Sequence, residues 1–263
     1  MTRWKLMQQG WSQKPTTTDD WLSGRLGAEL LGAEQALVDD VLEGVFGEHL
    51  LQIGRWGDAP EGMIANARTQ HSVTVFESGQ LGQVTADFAR LPFADQSVDA
   101  VLLPHTLELA ARPHDILREA HRVLRSEGHL MLLGFKPIGF WGLRRLLSRR
   151  SFPPGTERIL GERKLHDWLQ LLDLRIQRHH RFFFRFPISR QWGGQRIPWE
   201  ELGQRWWPEL GACYWIQARK RVATLTRIRP SWKQRARVVS GIAEPSLRDA
   251  LKSSPVKKLP DSQ

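Results

Sequence analysis

Glycine and carboxylate residues follow directly after several short apolar segments of this sequence, where strands would end. Gly54 and Gly57 come after the run 49–53, Glu77 comes after a β-branched run, and Asp87 begins a turn. A glycine turn lets the backbone approach a ligand closely and present N–H groups to an anion, and a helix that follows the turn adds its dipole. Carboxylates accept hydrogen bonds from hydroxyl and amino groups. The pattern predicts a ligand site at the ends of neighbouring strands.

Histidine and cysteine provide few further candidates for chemistry. His105 follows the apolar run 99–103 and is a candidate general base, with a purely structural histidine as the alternative. Cys213 is the only cysteine, which excludes an internal disulfide and any site built from several thiolates. His179 and His180 are adjacent in a predicted strand and would point to opposite faces, so they cannot bind one metal ion together. No metal site is predicted.

The segments that would position these residues alternate between strand and helix periodicity. Strand-like runs cover 49–53, 73–76, 84–86, 99–103, 129–133, 174–186 and 212–221, and helical periodicity covers 113–124 and 162–172. This alternation is typical of a doubly wound, mostly parallel, Rossmann-like α/β sheet, and the last two strands are expected to add an antiparallel strand at one edge. Ligands of such sheets bind beyond the carboxyl ends of the strands, which is where the candidate residues fall.

The periodicity also suggests where the domain begins and ends. Residues 1–18 are polar and are expected to form a flexible arm. Apolar residues recur at helical spacing from residue 19, which predicts an N-terminal helical extension to an α/β domain over 19–229. Periodicity is lost in 230–263, where serine, proline, lysine and arginine dominate, and this basic tail is predicted to be disordered.

Charge is distributed unevenly along the chain. Residues 1–135 carry 11 basic and 18 acidic side chains, residues 136–218 carry 15 and 7, and residues 219–263 carry 12 and 3. A basic second half favours a polyanionic partner, either nucleic acid or an anionic membrane surface, although a solvated basic face is the alternative. The residues predicted to meet such a partner are Arg144, Arg145, Arg149, Arg150 and the basic tail.

Membrane insertion and secretion are not expected from this sequence. No apolar run approaches the ~20 residues that a bilayer-spanning helix needs. The segment 1–10 contains no apolar stretch of signal-peptide length. With a single cysteine, the expectation is a reduced, soluble, cytoplasmic protein without a transmembrane segment.

Three segments carry a family resemblance when they are taken in order. They are 51–58 (LQIGRWGD), 86–99 (ADFARLPFADQSVD) and 117–128 (LREAHRVLRSEG). Together they resemble class I S-adenosylmethionine-dependent methyltransferases of the type 11 group, and most closely its bacterial YafS-like branch. The resemblance extends over roughly 48–221, and the second and third segments at their mutual spacing are its most specific part.

The resemblance implies a transferase that binds S-adenosylmethionine and passes its methyl group to an acceptor. Glu77 would accept the two ribose hydroxyls and Asp87 the adenine amino group, with apolar walls beside them. His105 would lie near the transferred methyl group as the candidate catalytic residue. The implied cofactor-binding residues are Gly54, Gly57, Glu77, Asp87, Phe88 and Leu103.

The turn after the first strand departs from the family pattern. The family has an acidic residue at position 52 and glycines at 54, 56 and 58, whereas this chain has Gln52, Trp56 and Asp58. Trp56 would displace the backbone or fill part of the methionine pocket, and Asp58 would repel the cofactor's carboxylate unless Arg55 compensates for it. An alternative function therefore stays open, a non-catalytic methyltransferase-like module that binds nucleic acid or another acidic partner. The sequence does not identify the methyl acceptor.

Overall fold

The computed structural model describes residues 17–59, 62–77, 83–147, 153–156, 159–185, 203 and 205–221. The helices are α1 (Thr18–Leu22), α2 (Arg25–Leu42), α3 (Thr106–Leu109), α4 (Pro113–Val123), α5 (Phe140–Leu147) and α6 (Glu162–Leu171). The strands are β1 (His49–Ile53), β2 (His71–Phe76), β3 (Val84–Thr85), β4 (Val98–Pro104), β5 (Leu124–Phe135), β6 (Leu174–Phe182) and β7 (Cys213–Lys220). The predicted tail and most of the predicted arm lie outside the described residues, and the domain boundaries stay predictions.

The described strands form one mixed sheet in the order β3-β2-β1-β4-β5-β7-β6. Strands β1 to β5 pair in parallel, whereas β7 runs antiparallel to both β5 and β6. The predicted Rossmann-like sheet is confirmed, and its antiparallel strand lies one position in from the edge, with β6 outside it. This topology places the carboxyl ends of β1 to β5 along one edge of the sheet.

Each face of the sheet buries its own hydrophobic cluster. In β4, Ala100 and Leu102 face α1 and α2, whereas Val101 and Leu103 face α4 and α6. All four side chains are fully buried. A central parallel strand covered on both faces reads as a continuous apolar run, which explains why the sequence predicts this strand well.

The N-terminal extension consists of two helices. The Thr17 hydroxyl accepts the Asp20 N–H at 3.2 Å and caps α1. Gly24 has an extended backbone and precedes α2, so the helical pattern that begins at residue 19 is interrupted there. Leu30 and Val38 of α2 are fully buried against the sheet.

The connection from β1 to β2 differs from the expectation that a helix follows the glycine turn. In the described part of this connection, 54–59 and 62–70, the regular structure is one 3-10 turn at Gly62–Ile64. The expectation of a helix dipole at the turn is therefore wrong for the described residues. Helix α2 packs against the connection instead, since Gln35 Nε2 donates to the Met63 carbonyl at 3.0 Å.

Asp99 joins the beginnings of three strands at the opposite edge of the sheet. Its Oδ2 accepts the backbone N–H groups of Glu48 and His49 at 2.8 and 2.9 Å, and its Oδ1 accepts from Arg125 Nη1 at 2.9 Å. Burial raises the pKa of this carboxyl, but the hydrogen bonds from His49, Arg125 and Glu48 outweigh it and hold the pKa below its ordinary value. Asp99 is thus a structural residue.

Replacing Asp99 should destabilise the fold. We expect Asp99→Ala to lower the free energy of unfolding by about 1–3 kcal/mol, because two backbone N–H groups lose their acceptor and Arg125 keeps only Glu48 of its two carboxylate partners. Chemical denaturation measures the effect, with Asp40→Ala at an exposed position of α2 as the control. Equal stability of the two variants would contradict this role.

Candidate active site

Glu77 and Asp87 lie next to each other at the carboxyl edge of the sheet. The Ala86 N–H donates to the Phe76 carbonyl at 2.9 Å, so the residues that follow this pair are neighbours. Both carboxylate side chains are exposed. Asp87 Oδ1 accepts the Ala89 N–H at 2.9 Å, which fixes the carboxylate and leaves Oδ2 for a ligand. The structure therefore places the two residues that the sequence singled out at adjacent strand ends on this edge.

The two predicted apolar contacts lie in different environments. Phe88 is half-buried and packs at the margin of the cluster beneath α4. Leu103 is fully buried within that cluster, so its side chain has no exposed surface toward a ligand in this structure. Phe88 is the better placed of the two to meet a ligand at the β2–β3 end.

The turn after β1 depends on its two glycines. Gly54 and Gly57 have φ values of +92° and +83°, in the left-handed region that favours glycine. A Cβ on Gly54 would lie 2.7 Å from the Thr106 hydroxyl oxygen, and one on Gly57 would lie 3.0 Å from Leu31. The turn thus passes close over the start of α3 on one side and over α2 on the other.

Arg55 balances the acidic residue that replaces the family's last glycine. Its Nη2 donates to Asp58 at 3.1 Å and lies 3.6 Å from Asp19, and its Nε donates to the Gly57 carbonyl at 3.0 Å. The guanidinium therefore offsets the negative charge of Asp58 and also closes the turn. The compensation proposed from the sequence is present in the structure.

Gln52 spans the connection in a way that an acidic residue could not. Its side chain is fully buried, with Nε2 donating to the Gly54 carbonyl at 2.9 Å and Oε1 accepting the Met63 N–H at 2.8 Å. A carboxylate at this position could accept from Met63 but would face the Gly54 oxygen without a donor. The change from acid to amide thus fits the changed course of the turn.

Glu34 of α2 was not among the residues that the sequence pointed to, yet it lies at the centre of the site. It is fully buried, and its Oε2 accepts the Trp56 indole N–H at 2.6 Å. Its Oε1 lies 2.8 Å from His105 Nε2. The signal that could have found it is its position midway between the buried Leu30 and Val38, at four-residue steps on the apolar face of the helix.

His105 is held between two carboxylates. Glu108 Oε2 lies 3.0 Å from His105 Nδ1, and Glu108 Oε1 accepts the Phe135 N–H at 2.7 Å. With a carboxylate at each ring nitrogen, the imidazole donates twice as an imidazolium. Burial lowers the pKa of His105, but the charges and hydrogen bonds of Glu34 and Glu108 outweigh it and raise the pKa to about 9. Burial raises the pKa of Glu108.

The Trp56 ring is directed toward β4 and β5. It is buried, stacks on the His105 ring at 4.2 Å between centroids and meets the Phe135 ring edge-on at 5.9 Å. Because β4 and β5 lie on the other side of β1 from β2 and β3, the indole points away from Glu77 and Asp87. His105 has both nitrogens engaged in this arrangement, so neither is free to take a proton while the network is intact, and its assignment as the catalytic residue stays a prediction.

Several described basic side chains of the second half make contacts within the chain. Arg145 Nη1 donates to the Thr156 carbonyl at 2.7 Å, Lys136 Nζ pairs with Glu209 at 2.9 Å, and Arg181 pairs with Glu162. Arg144 is exposed, whereas Arg149, Arg150 and the basic tail lie outside the described residues.

The described residues contain neither a metal-binding cluster nor a membrane-spanning helix. In that part of the chain, no group of three or more His, Cys, Asp or Glu side chains is placed to hold a metal ion. None of the helices there is long and apolar enough to cross a bilayer.

Comparison with known proteins adds independent information. A family model described as "Methyltransferase domain" matches residues 56–132. The chain is 38% identical over 187 residues to the protein YafS of Escherichia coli K12, which covers 69% of this chain and 72% of YafS. It is 32% identical over 193 residues to the ubiquinone/menaquinone biosynthesis C-methyltransferase UbiE of Paracoccus denitrificans, covering 71% and 74% of the two chains. An S-adenosylmethionine-dependent methyltransferase structure from Archaeoglobus fulgidus is similar at a TM-score of 0.50 and 16% identity, covering 71% and 94%.

The charge on His105 predicts how stability depends on pH. Because its folded pKa of about 9 lies above the ordinary 6.5, its contribution is fully present below pH 6.5 and is lost as the pH rises through about 9. We expect the wild type to lose roughly 2–3 kcal/mol of stability between pH 7 and pH 10 from this group. Denaturation across that range measures the loss, and ring nitrogen NMR reports the protonation state. A neutral His105 at pH 7 would contradict the imidazolium assignment.

Proposed function

This chain belongs to the class I S-adenosylmethionine-dependent methyltransferases, and we propose that it binds this cofactor along the carboxyl edge of β1 to β4 and methylates a lipid-soluble acceptor. Membership of the family rests on the relatives that the chain matches over more than two thirds of their length. The cofactor of the family is S-adenosylmethionine. The acceptor and the residue roles below are the proposed part.

The observation that carries the cofactor site is the pair of exposed carboxylates beside the glycine turn. Glu77 and Asp87 occupy adjacent strand ends, and Asp87 keeps one oxygen for a ligand. Gly54 and Gly57 are left-handed, which lets the backbone of the turn approach a ligand. Carboxylates next to such a turn can accept hydrogen bonds from the ribose hydroxyls and the adenine amino group of the cofactor.

Each of these residues would have a defined task. Glu77 would accept the ribose hydroxyls, Asp87 would accept the adenine amino group, and Phe88 would cover the adenine ring. Arg55, already balanced by Asp58, would keep the turn from repelling the cofactor's carboxylate. When bound, the cofactor supplies an electrophilic methyl group on a sulfonium.

The chain would favour direct in-line methyl transfer that is driven by positioning. His105 is bonded through both nitrogens to Glu34 and Glu108, so it takes no proton while this network is intact. Positioning of the two reactants and exclusion of water by the buried aromatic rings of Trp56 and Phe135 would then supply most of the acceleration.

Exposed apolar side chains at the same edge of the sheet support a lipid-soluble acceptor. Phe135 at the end of β5 pairs with Cys213 at the start of β7, so the segments flanking this pair lie at the site's edge. Ile138, Trp206 and Trp207 lie in these segments and are 74%, 66% and 54% exposed. We take them to form one apolar patch, since contiguous exposed apolar patches mark binding surfaces. The similarity to a ubiquinone/menaquinone biosynthesis methyltransferase also supports a lipid-soluble acceptor.

A binding module without catalytic function is the less supported alternative. The comparisons give it no support, since the relatives with assigned activities are methyltransferases. Several described basic side chains that could meet a polyanion are paired within the chain, notably Lys136 with Glu209 and Arg181 with Glu162. An anionic partner through Arg144 and the tail stays a prediction.

The cofactor site predicts a specific loss of affinity. We expect Asp87→Ala to weaken S-adenosylmethionine binding about tenfold or more, because a hydrogen bond to a charged acceptor contributes about 1.5–3 kcal/mol. Titration calorimetry measures the affinity. Asp40→Ala removes an exposed carboxylate near the end of α2, which leads to the start of β1 at the opposite edge of the sheet, and should bind as the wild type does. If the wild type showed no binding at millimolar cofactor, the proposed function would be refuted.

The acceptor proposal predicts where a labelled methyl group goes. Incubating the protein with methyl-labelled cofactor and cell extract should place the label in the organic-solvent fraction, and Trp206→Ser with Trp207→Ser should reduce that signal. Phe46→Ser is the matched control, since Phe46 is 68% exposed just before β1, at the opposite edge of the sheet. Label in RNA or protein, with none in the organic phase, would refute the acceptor class.

A further inference from the structure

We propose that Glu34 of helix α2 is a positioning residue for the methyl-transfer site, holding the cofactor turn and the end of β4 in place through Trp56 and His105. The inference rests on the proposed function and deepens it. It assigns part of the cofactor site to the N-terminal extension, which precedes the matched family region 56–132.

Helix α2 supplies the support that a crossover helix would otherwise give to the turn. In the described part of 54–70, a 3-10 turn is the only regular element. Helix α2 contacts this connection at four successive places: Leu31 against Gly57, Glu34 to Trp56, Gln35 to the Met63 carbonyl, and Asp39 to Asn66 at 3.2 Å. The turn is therefore positioned by a helix that precedes it in the chain.

Within this set, Glu34 alone also reaches β4. Its two oxygens accept from two different donors, the Trp56 indole at 2.6 Å and the His105 imidazolium at 2.8 Å. An amide at position 34 could still accept from the Trp56 indole, but it carries no charge and could donate to His105 only after the imidazole has lost its proton. Glu34→Gln therefore removes the charged bond to the His105 imidazolium with little change in volume.

The backbone of His105 gives independent reason to assign it a function. Its φ and ψ are 53° and 7°, the left-handed region that a non-glycine residue rarely adopts. Such strain persists where the surroundings enforce it and is concentrated at functional sites. Here the enforcing contacts come from α2 and α3 together, at the strand end beside the turn.

The charges that act on His105 come from the two helices that flank it. Glu34 faces its Nε2 from α2 and Glu108 faces its Nδ1 from α3. Tyr214 on β7 is buried, the charge of Glu108 acts on it, and its hydroxyl donates to the Leu160 carbonyl at 3.2 Å. Removing the Glu34 carboxylate should therefore lower the pH at which His105 loses its proton.

The test compares Glu34→Gln with Glu43→Gln, the same chemical change at the exposed end of the same helix. We expect Glu34→Gln to bind S-adenosylmethionine about tenfold or more weakly by calorimetry, and Glu43→Gln to bind as the wild type does. Ring NMR should show His105 titrating at lower pH in Glu34→Gln. Both readouts are taken on folded protein, so a loss of stability does not mimic them.

The outcomes separate the inference from the proposed function. Unchanged affinity and an unchanged His105 titration in Glu34→Gln would overturn the inference and leave the proposed function standing. Absence of binding by the wild type would overturn the proposed function, and the inference with it. If Glu34→Gln does not fold, Trp56→Phe decides, since it keeps an aromatic ring on His105 but loses the bond to Glu34. Wild-type affinity in Trp56→Phe would also overturn the inference.

Discussion

A buried carboxylate on α2 links the N-terminal extension to the strand ends where the ligand site lies. Glu34 is fully buried and accepts from both Trp56 and His105, while Glu108 faces the other ring nitrogen. Buried charges are costly unless they are paired and hydrogen-bonded, so removing any member leaves the others in an unfavourable environment. The turn after β1, the end of β4 and helix α2 therefore keep one relative geometry.

The departures of the turn from the family pattern are matched by contacts elsewhere. Gln52 can donate to the Gly54 carbonyl, which a carboxylate could not do. Arg55 offsets the charge of Asp58. The Trp56 N–H donates to Glu34, and the Trp56 ring stacks on His105. An altered turn with satisfied polar groups is a specific structure, and its indole is directed to the ends of β4 and β5, away from Glu77 and Asp87.

The sequence predicts the local features of this site and misses the contacts between distant segments. The buried strands β1 and β4 read as apolar runs, so their ends, and with them Gly54 and His105, follow directly. Glu77 and Asp87 follow the shorter or less buried strands β2 and β3, which their β-branched residues indicate. Glu34 lies 22 residues from Trp56 and 71 from His105, and no local pattern joins them. The described residues 54–59 and 62–70 form no crossover helix, and the sequence does not indicate this because glycine turns usually precede one. The local feature that could have indicated Glu34 is its position on the buried face of an amphipathic helix, between Leu30 and Val38.

A crystal structure of the protein with S-adenosylhomocysteine tests the central claim most directly, because it shows the cofactor and the network together. The account predicts the ribose at Glu77, the adenine amino group at Asp87, and the Trp56 indole still bonded to Glu34 beside His105. A product molecule bound away from the β1–β3 strand ends, or a Trp56 ring released from Glu34 to admit it, would contradict the account.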